Sequence, residues 1–89
     1  MRVIVCVMMR MVMAYILAKI EAGSEDKIFE KIKALSDVKS AAFTFGVYDI
    51  VVVVEFRKVE DLDEFLFAKL RKIPGIVETI SMIVSKEIV

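Results

Sequence analysis

The chain has 89 residues, 58% of them apolar, and its 13 Lys and Arg are balanced by 13 Asp and Glu, which is enough chain for one domain with a modest core. With no His and a single cysteine, Cys6, imidazole acid-base chemistry, metal sites of the usual ligand spacing and an intrachain disulfide framework are excluded. Net charge of zero offers no basic field for direct contact with nucleic acid, and one lone thiol fits a reducing, cytoplasmic setting.

Residues 1 to 20 are hydrophobic enough to raise a membrane span or a signal peptide as alternatives. Arg10 opposes a spanning helix, since an arginine at its centre costs about 2.5–3.5 kcal/mol on insertion scales. A signal peptide wants small residues at its cleavage site, and Ala14-Tyr15-Ile16 supplies them poorly. Two strands are predicted instead, Val3 to Met8 and Val12 to Ile20, with Arg10 near the bend between them. Met9, Met11 and Met13 are alternative starts. Residues 1–11 are therefore set apart as an N-terminal extension, expected to be a strand, and residues 12–89 as the domain.

Ala22-Gly23-Ser24 ends the strand, and Ser24 followed by Glu25 and Asp26 suits a helix start. The helix is predicted to run to about Leu35, with Ile28, Phe29, Ile32 and Leu35 on one side and Lys27, Glu30, Lys31 and Lys33 on the wet side. A strand from Val38 to Phe45 follows, and Gly46 to Asp49 turns it into the most β-forming run of the chain, Ile50 to Val54. Period-two alternation puts Ile50, Val52, Val54 and Phe56 on one face and Asp49, Val51, Val53 and Glu55 on the other. Both faces have apolar centres. So short a chain can cover one with its own helices, which leaves the other for a partner subunit; a mean hydropathy of +0.69 agrees with buried subunit contacts.

The stretch Glu60-Asp61-Leu62-Asp63-Glu64 opens a second helix, with Asp61 the expected cap and Glu64 three residues on. Leu62, Phe65, Leu66, Leu70 and Ile73 give it an apolar stripe, and Pro74-Gly75 stops it. The last strand, Ile76 to about Ile88, is expected to carry Ile76, Ile80, Met82 and Val84 on one face and Val77, Thr79, Ser81, Ile83 and Ser85 on the other. From residue 12 the order is βαββαβ. That is an α+β, ferredoxin-like fold, an antiparallel sheet with both helices on one face.

The turn Gly46-Val47-Tyr48-Asp49 leading into an apolar strand, then Leu62, Phe65 and Leu70, then Pro74-Gly75-Ile76-Val77-Glu78-Thr79-Ile80-Ser81, together resemble the effector-binding domain of the Lrp/AsnC (feast/famine) transcriptional regulators across residues 12–89. The resemblance implies a domain that dimerises sheet to sheet, assembles further into rings and binds an amino acid between subunits. Regulators of that family carry an N-terminal helix-turn-helix, which residues 1–11 are too few to hold. The expectation is thus a stand-alone effector domain without direct nucleic-acid or membrane contact, whose candidate partners include full-length regulators.

A small zwitterion needs a carboxylate for its ammonium group and donors for its carboxylate. Asp49 suits the first role, with the Thr79 and Ser81 hydroxyls and the backbone of Gly46, Val47 and Tyr48 suiting the second. Asp49 and the two hydroxyls are expected at strand ends on the face that meets another subunit. No catalytic, metal or cofactor residues are expected. The plain alternatives are Asp49 as a turn residue, Tyr48 as a packing aromatic, and Thr79 and Ser81 as ordinary strand residues. For the whole chain, a purely structural module that co-assembles with regulators is the main rival. A dimeric α+β barrel enzyme shares the element order but lacks here the His and Trp such sites often use. An ACT-type amino-acid sensor shares it too, and Gly23 in the first loop leaves that open.

Overall fold

The computed structural model describes residues 11–88, so the predicted Val3 to Met8 strand lies outside the described residues. The elements are β1 (Val12–Ile20), α1 (Glu25–Lys33), β2 (Val38–Phe43), β3 (Ile50–Phe56), α2 (Val59–Ala68), a 3-10 turn (Leu70–Lys72) and β4 (Ile76–Ile83). They form one antiparallel sheet in the order β2-β3-β1-β4. This is the expected βαββαβ arrangement.

Register explains which residues are buried. Ala14, Ile16 and Ala18 of β1 stand opposite Val54, Val52 and Ile50 of β3, and all six are buried together with Ile28 and Ile32 of α1 and Leu62 and Phe65 of α2. Leu70 and Ile73 complete that core, as the apolar stripe of the second helical segment predicted. The other face of the sheet carries Tyr15 and Leu17 opposite Val53 and Val51. Among the described residues nothing covers it: Tyr15, Ile80 and Met82 are all more than a third exposed.

Four boundaries differ from the sequence expectation. β2 stops at Phe43 because the Thr44 N–H already donates across to the Asp49 carbonyl at 2.8 Å, closing a loop over residues 44–49 rather than extending the strand to Phe45. α2 begins at Val59, so Asp61 lies inside its first turn and is not the cap; Lys58 holds that position with no side-chain cap hydrogen bond. Two acidic residues, Glu60 and Asp61, still sit where the helix dipole favours them. α2 ends at Ala68, and the turn at Leu70–Lys72 swings Leu70 and Ile73 back into the core. Lys69 Nζ holds Asp37 Oδ2 at 2.6 Å beside this turn.

β4 ends at Ile83 instead of Ile88, after which the Val84 N–H reaches the Met13 carbonyl at 2.8 Å, near the start of β1. Its faces also differ. A register shift at Lys19/Ile20 puts Ile76 opposite Ile20, while Ile80 and Met82 stand opposite Leu17 and Tyr15. The extra residue of a bulge reverses the alternation, so Ile76 packs with the core and Ile80 and Met82 join the uncovered face.

Candidate ligand site at the sheet end

The 44–49 loop is tied down at both ends by the residues that also make it a candidate site. Thr44 Oγ1 donates to the Tyr48 carbonyl at 2.8 Å, and the Asp49 N–H donates to the Ala18 carbonyl at 2.9 Å. Gly46 adopts φ +143°, a region that side chains disfavour. Within this frame Gly46 and Val47 are exposed, while Tyr48 and Asp49 are half-buried.

Asp49 does more than turn the chain. Its Oδ2 accepts a hydrogen bond from the Ile20 N–H at 3.0 Å, where β1 leaves the sheet next to the bulge. One carboxylate oxygen is thus engaged in holding β1 to the turn. Oδ1 is the atom left for any other donor.

Tyr48 points to a cluster that sequence reasoning missed. Its hydroxyl donates to Glu78 Oε2 at 3.5 Å, a long contact, and Lys19 Nζ stands 5.7 Å from its ring centroid, within reach of a cation–π attraction. Lys19 and Glu78 are register partners on β1 and β4, so an aromatic ring, an ammonium and a carboxylate meet at one corner of the uncovered face. The signal available in the sequence was weak. Glu78 sits inside the quoted Pro74-to-Ser81 run, but only the register brings Lys19 opposite it.

Thr79 and Ser81 do share a face, as expected. That face is the other one: Thr79 stands opposite Ala18 and Ser81 opposite Ile16, both buried under the helices. The expectation that Asp49 and the two hydroxyls lie together on the face meeting another subunit is therefore corrected. Because the bulge precedes Thr79, the parity of β4 is the reverse of what strict alternation from Ile76 suggests. Thr79 is half-buried near the turn end of the sheet, and Ser81 is exposed two residues further along. Among the described residues there is no cluster of metal-ligating side chains and no helix long and apolar enough to cross a membrane.

Comparison with known proteins agrees with this architecture. A model of the Lrp/AsnC ligand binding domain matches residues 13–89. The HTH-type transcriptional regulator FL11 of Pyrococcus horikoshii is 32% identical over 74 residues, covering 83% of this chain and 48% of the regulator, so the chain spans about half the length of that curated relative. The crystal structure of FFRP-DM1 superposes with a TM-score of 0.78 at 43% identity, covering 83% of this chain and 99% of that one. A transcriptional regulator of Neisseria meningitidis, solved as a complex with L-Met, shares the fold with a TM-score of 0.81 at 20% identity, over 86% of this chain and 51% of its own. The chain belongs to the Lrp/AsnC family, and residues 13–89 are its ligand-binding domain.

Proposed function

We propose that this domain senses an amino acid and transmits its presence through subunit assembly within a cytoplasmic transcriptional regulatory system. The observation that carries the proposal is the corner where Tyr48, Lys19 and Glu78 meet beside Asp49, at the end of an uncovered apolar sheet face. A zwitterion needs both signs of charge within a few ångströms, and this corner offers a carboxylate for the ammonium group and an ammonium for the carboxylate. The backbone amides of Gly46 and Val47, which lie in an exposed part of the loop, are candidate further donors. Asp49 Oδ1 and Glu78 share the ammonium role in this proposal, and Thr79 borders the site from the opposite face.

The uncovered face supplies the assembly half. Tyr15, Leu17, Val51, Val53, Ile80 and Met82 form a continuous apolar surface across three strands, and such a surface calls for a partner. A second copy, sheet to sheet, hides it and brings two of the polar corners towards a subunit boundary. A ligand touching both copies favours one assembly only by its difference in affinity for the two states. L-Met in the complex of the Neisseria regulator makes amino acids the first class to test.

The engagement of Asp49 by Ile20 favours one other reading, a structural module that co-assembles with regulators and holds no small ligand. A thermal-shift screen against the twenty amino acids separates the two, because a ligand that binds only the native state raises the melting temperature. A rise for one or a few amino acids is expected. No rise for any would leave the structural module as the better account.

A further inference from the structure

Asp49 clasps β1 at two points. Its N–H donates to the Ala18 carbonyl at 2.9 Å and its Oδ2 accepts from the Ile20 N–H at 3.0 Å, so both peptide groups of Lys19 are held by one residue. The carboxylate stands in for a strand carbonyl, because β1–β3 pairing ends at Ala18 and Ile50. Lys19 is the ammonium of the polar corner, 5.7 Å from the Tyr48 ring centroid. Beyond Ile20 the chain is held again: the Glu21 N–H donates to the Gly75 carbonyl at 2.8 Å, and the Glu21 carbonyl accepts from the Ser24 N–H at 3.2 Å and from Ser24 Oγ at 2.5 Å. Ser24 thus directs its hydroxyl into the turn and makes no side-chain cap bond to α1, whose Ile28 N–H still reaches the Ser24 carbonyl at 3.0 Å. The fit leaves no slack. A Cβ at Gly75 would lie 2.8 Å from Ser24 Cβ, so the turn rests directly on the start of β4.

We propose that the polar corner and the turn from Glu21 to Ser24 open and close as one unit, with Asp49 as the clasp, so that an amino acid bound at the corner orders the entry to α1. The inference rests on the ligand reading given above. Releasing Ile20 from Asp49 frees the peptide that carries the Lys19 carbonyl, which displaces the ammonium on one side and the Glu21 carbonyl, with both Ser24 bonds, on the other. Native proteins open locally in contiguous units of this kind. A ligand that needs Lys19 in place binds the closed unit, and shifts the population by its difference in affinity for the two states. The coupling is reciprocal. Ser24 and Gly75 are therefore positioning residues, which hold the corner without touching its ligand.

Amide hydrogen exchange followed by NMR on the whole chain reads the clasp without a ligand. Asp49→Ala leaves the acceptors of the Glu21 and Ser24 amides in place, yet is expected to speed their exchange about fivefold beyond any change at Leu35 and Lys69, whose amides lie at the far helix ends. Asp49→Asn keeps an acceptor oxygen and is expected to restore most of the protection. In the wild type, the amino acid selected by the thermal-shift screen is expected to slow exchange at Ile20, Glu21 and Ser24 by about fivefold or more. Ser24→Ala, whose lost hydroxyl bonds the Glu21 carbonyl, is expected to weaken calorimetric binding of that amino acid by a similar factor, with a urea midpoint that confirms folding. Exchange at Glu21 and Ser24 that merely follows Leu35 and Lys69 in Asp49→Ala, or that stays unchanged when the amino acid binds, would overturn the coupling and leave the ligand reading standing. Equal affinity in Ser24→Ala and the wild type would do the same. No binding of any amino acid would remove both.

Discussion

Asp49 holds β1 to the turn, and the proposed function gives it a second task at the ligand. Its bond to the Ile20 N–H spans 29 residues of sequence, and a long-range backbone partner of that kind leaves no trace in local spacing, which is why the turn alone suggested a free carboxylate. Asp49→Ala should lower stability by about 1–3 kcal/mol, the range for leaving a partly buried donor without its acceptor. Asp49→Asn keeps an acceptor oxygen and should retain most of that stability in urea unfolding. If Asp49 also meets the ligand's ammonium group, the Asn variant should bind at least tenfold more weakly, about 1.4 kcal/mol, despite its sound fold. The glycines give a second contrast. A Cβ at Gly75, where φ is +101°, would meet Ser24 Cβ at 2.8 Å and Oγ at 2.9 Å, whereas one at Gly23, at φ +86°, would meet nothing within 4 Å. Gly23→Ala should therefore cost about 1–2 kcal/mol from backbone conformation alone, and Gly75→Ala measurably more, read as a larger fall in the urea midpoint.

At the scale of elements, helical periodicity and β-branching made most of the fold legible. Ile28 and Ile32, Leu62 and Phe65, and Val52 and Val54 were all placed on buried faces by spacing alone, and each is buried. What was not legible was where alternation breaks. The bulge opposite Ile20 is a matter of two strands meeting, and nothing in Ile76-Val77-Glu78 announces it, so the faces of Thr79 and Ser81 were assigned to the wrong side. The start of α2 was missed for a related reason, since Asp61 is as comfortable in a first turn as at a cap. Packing and surface polar contacts in α2 should differ sharply in weight. Phe65 is buried with its ring centroid 5.5 Å from that of Phe56, and Phe65→Ala should destabilise by about 3–5 kcal/mol. Lys69→Ala, which removes a largely exposed pair with Asp37, should cost less than about 1 kcal/mol. Comparable losses in thermal unfolding would contradict this division.

For the whole molecule, the decisive asymmetry is between the two faces of one sheet. Helices cover one face, and among the described residues nothing covers the other, centred on Leu17, Val51 and Val53; a second copy is its proposed cover. Val53→Lys should convert the proposed dimer at low micromolar concentration into a monomer by light scattering, because burying a lysine charge in that apolar contact is costly. A wild type that is a stable monomer at that concentration would remove the basis of the assembly proposal. The central claim is that the polar corner beside this face binds an amino acid. Isothermal titration of the wild type and of Glu78→Gln with each amino acid tests it most directly: saturable heat with the wild type for at least one amino acid, weakened at least tenfold in Glu78→Gln, is the predicted result, and no heat with any of them, or equal affinity in both proteins, would contradict it.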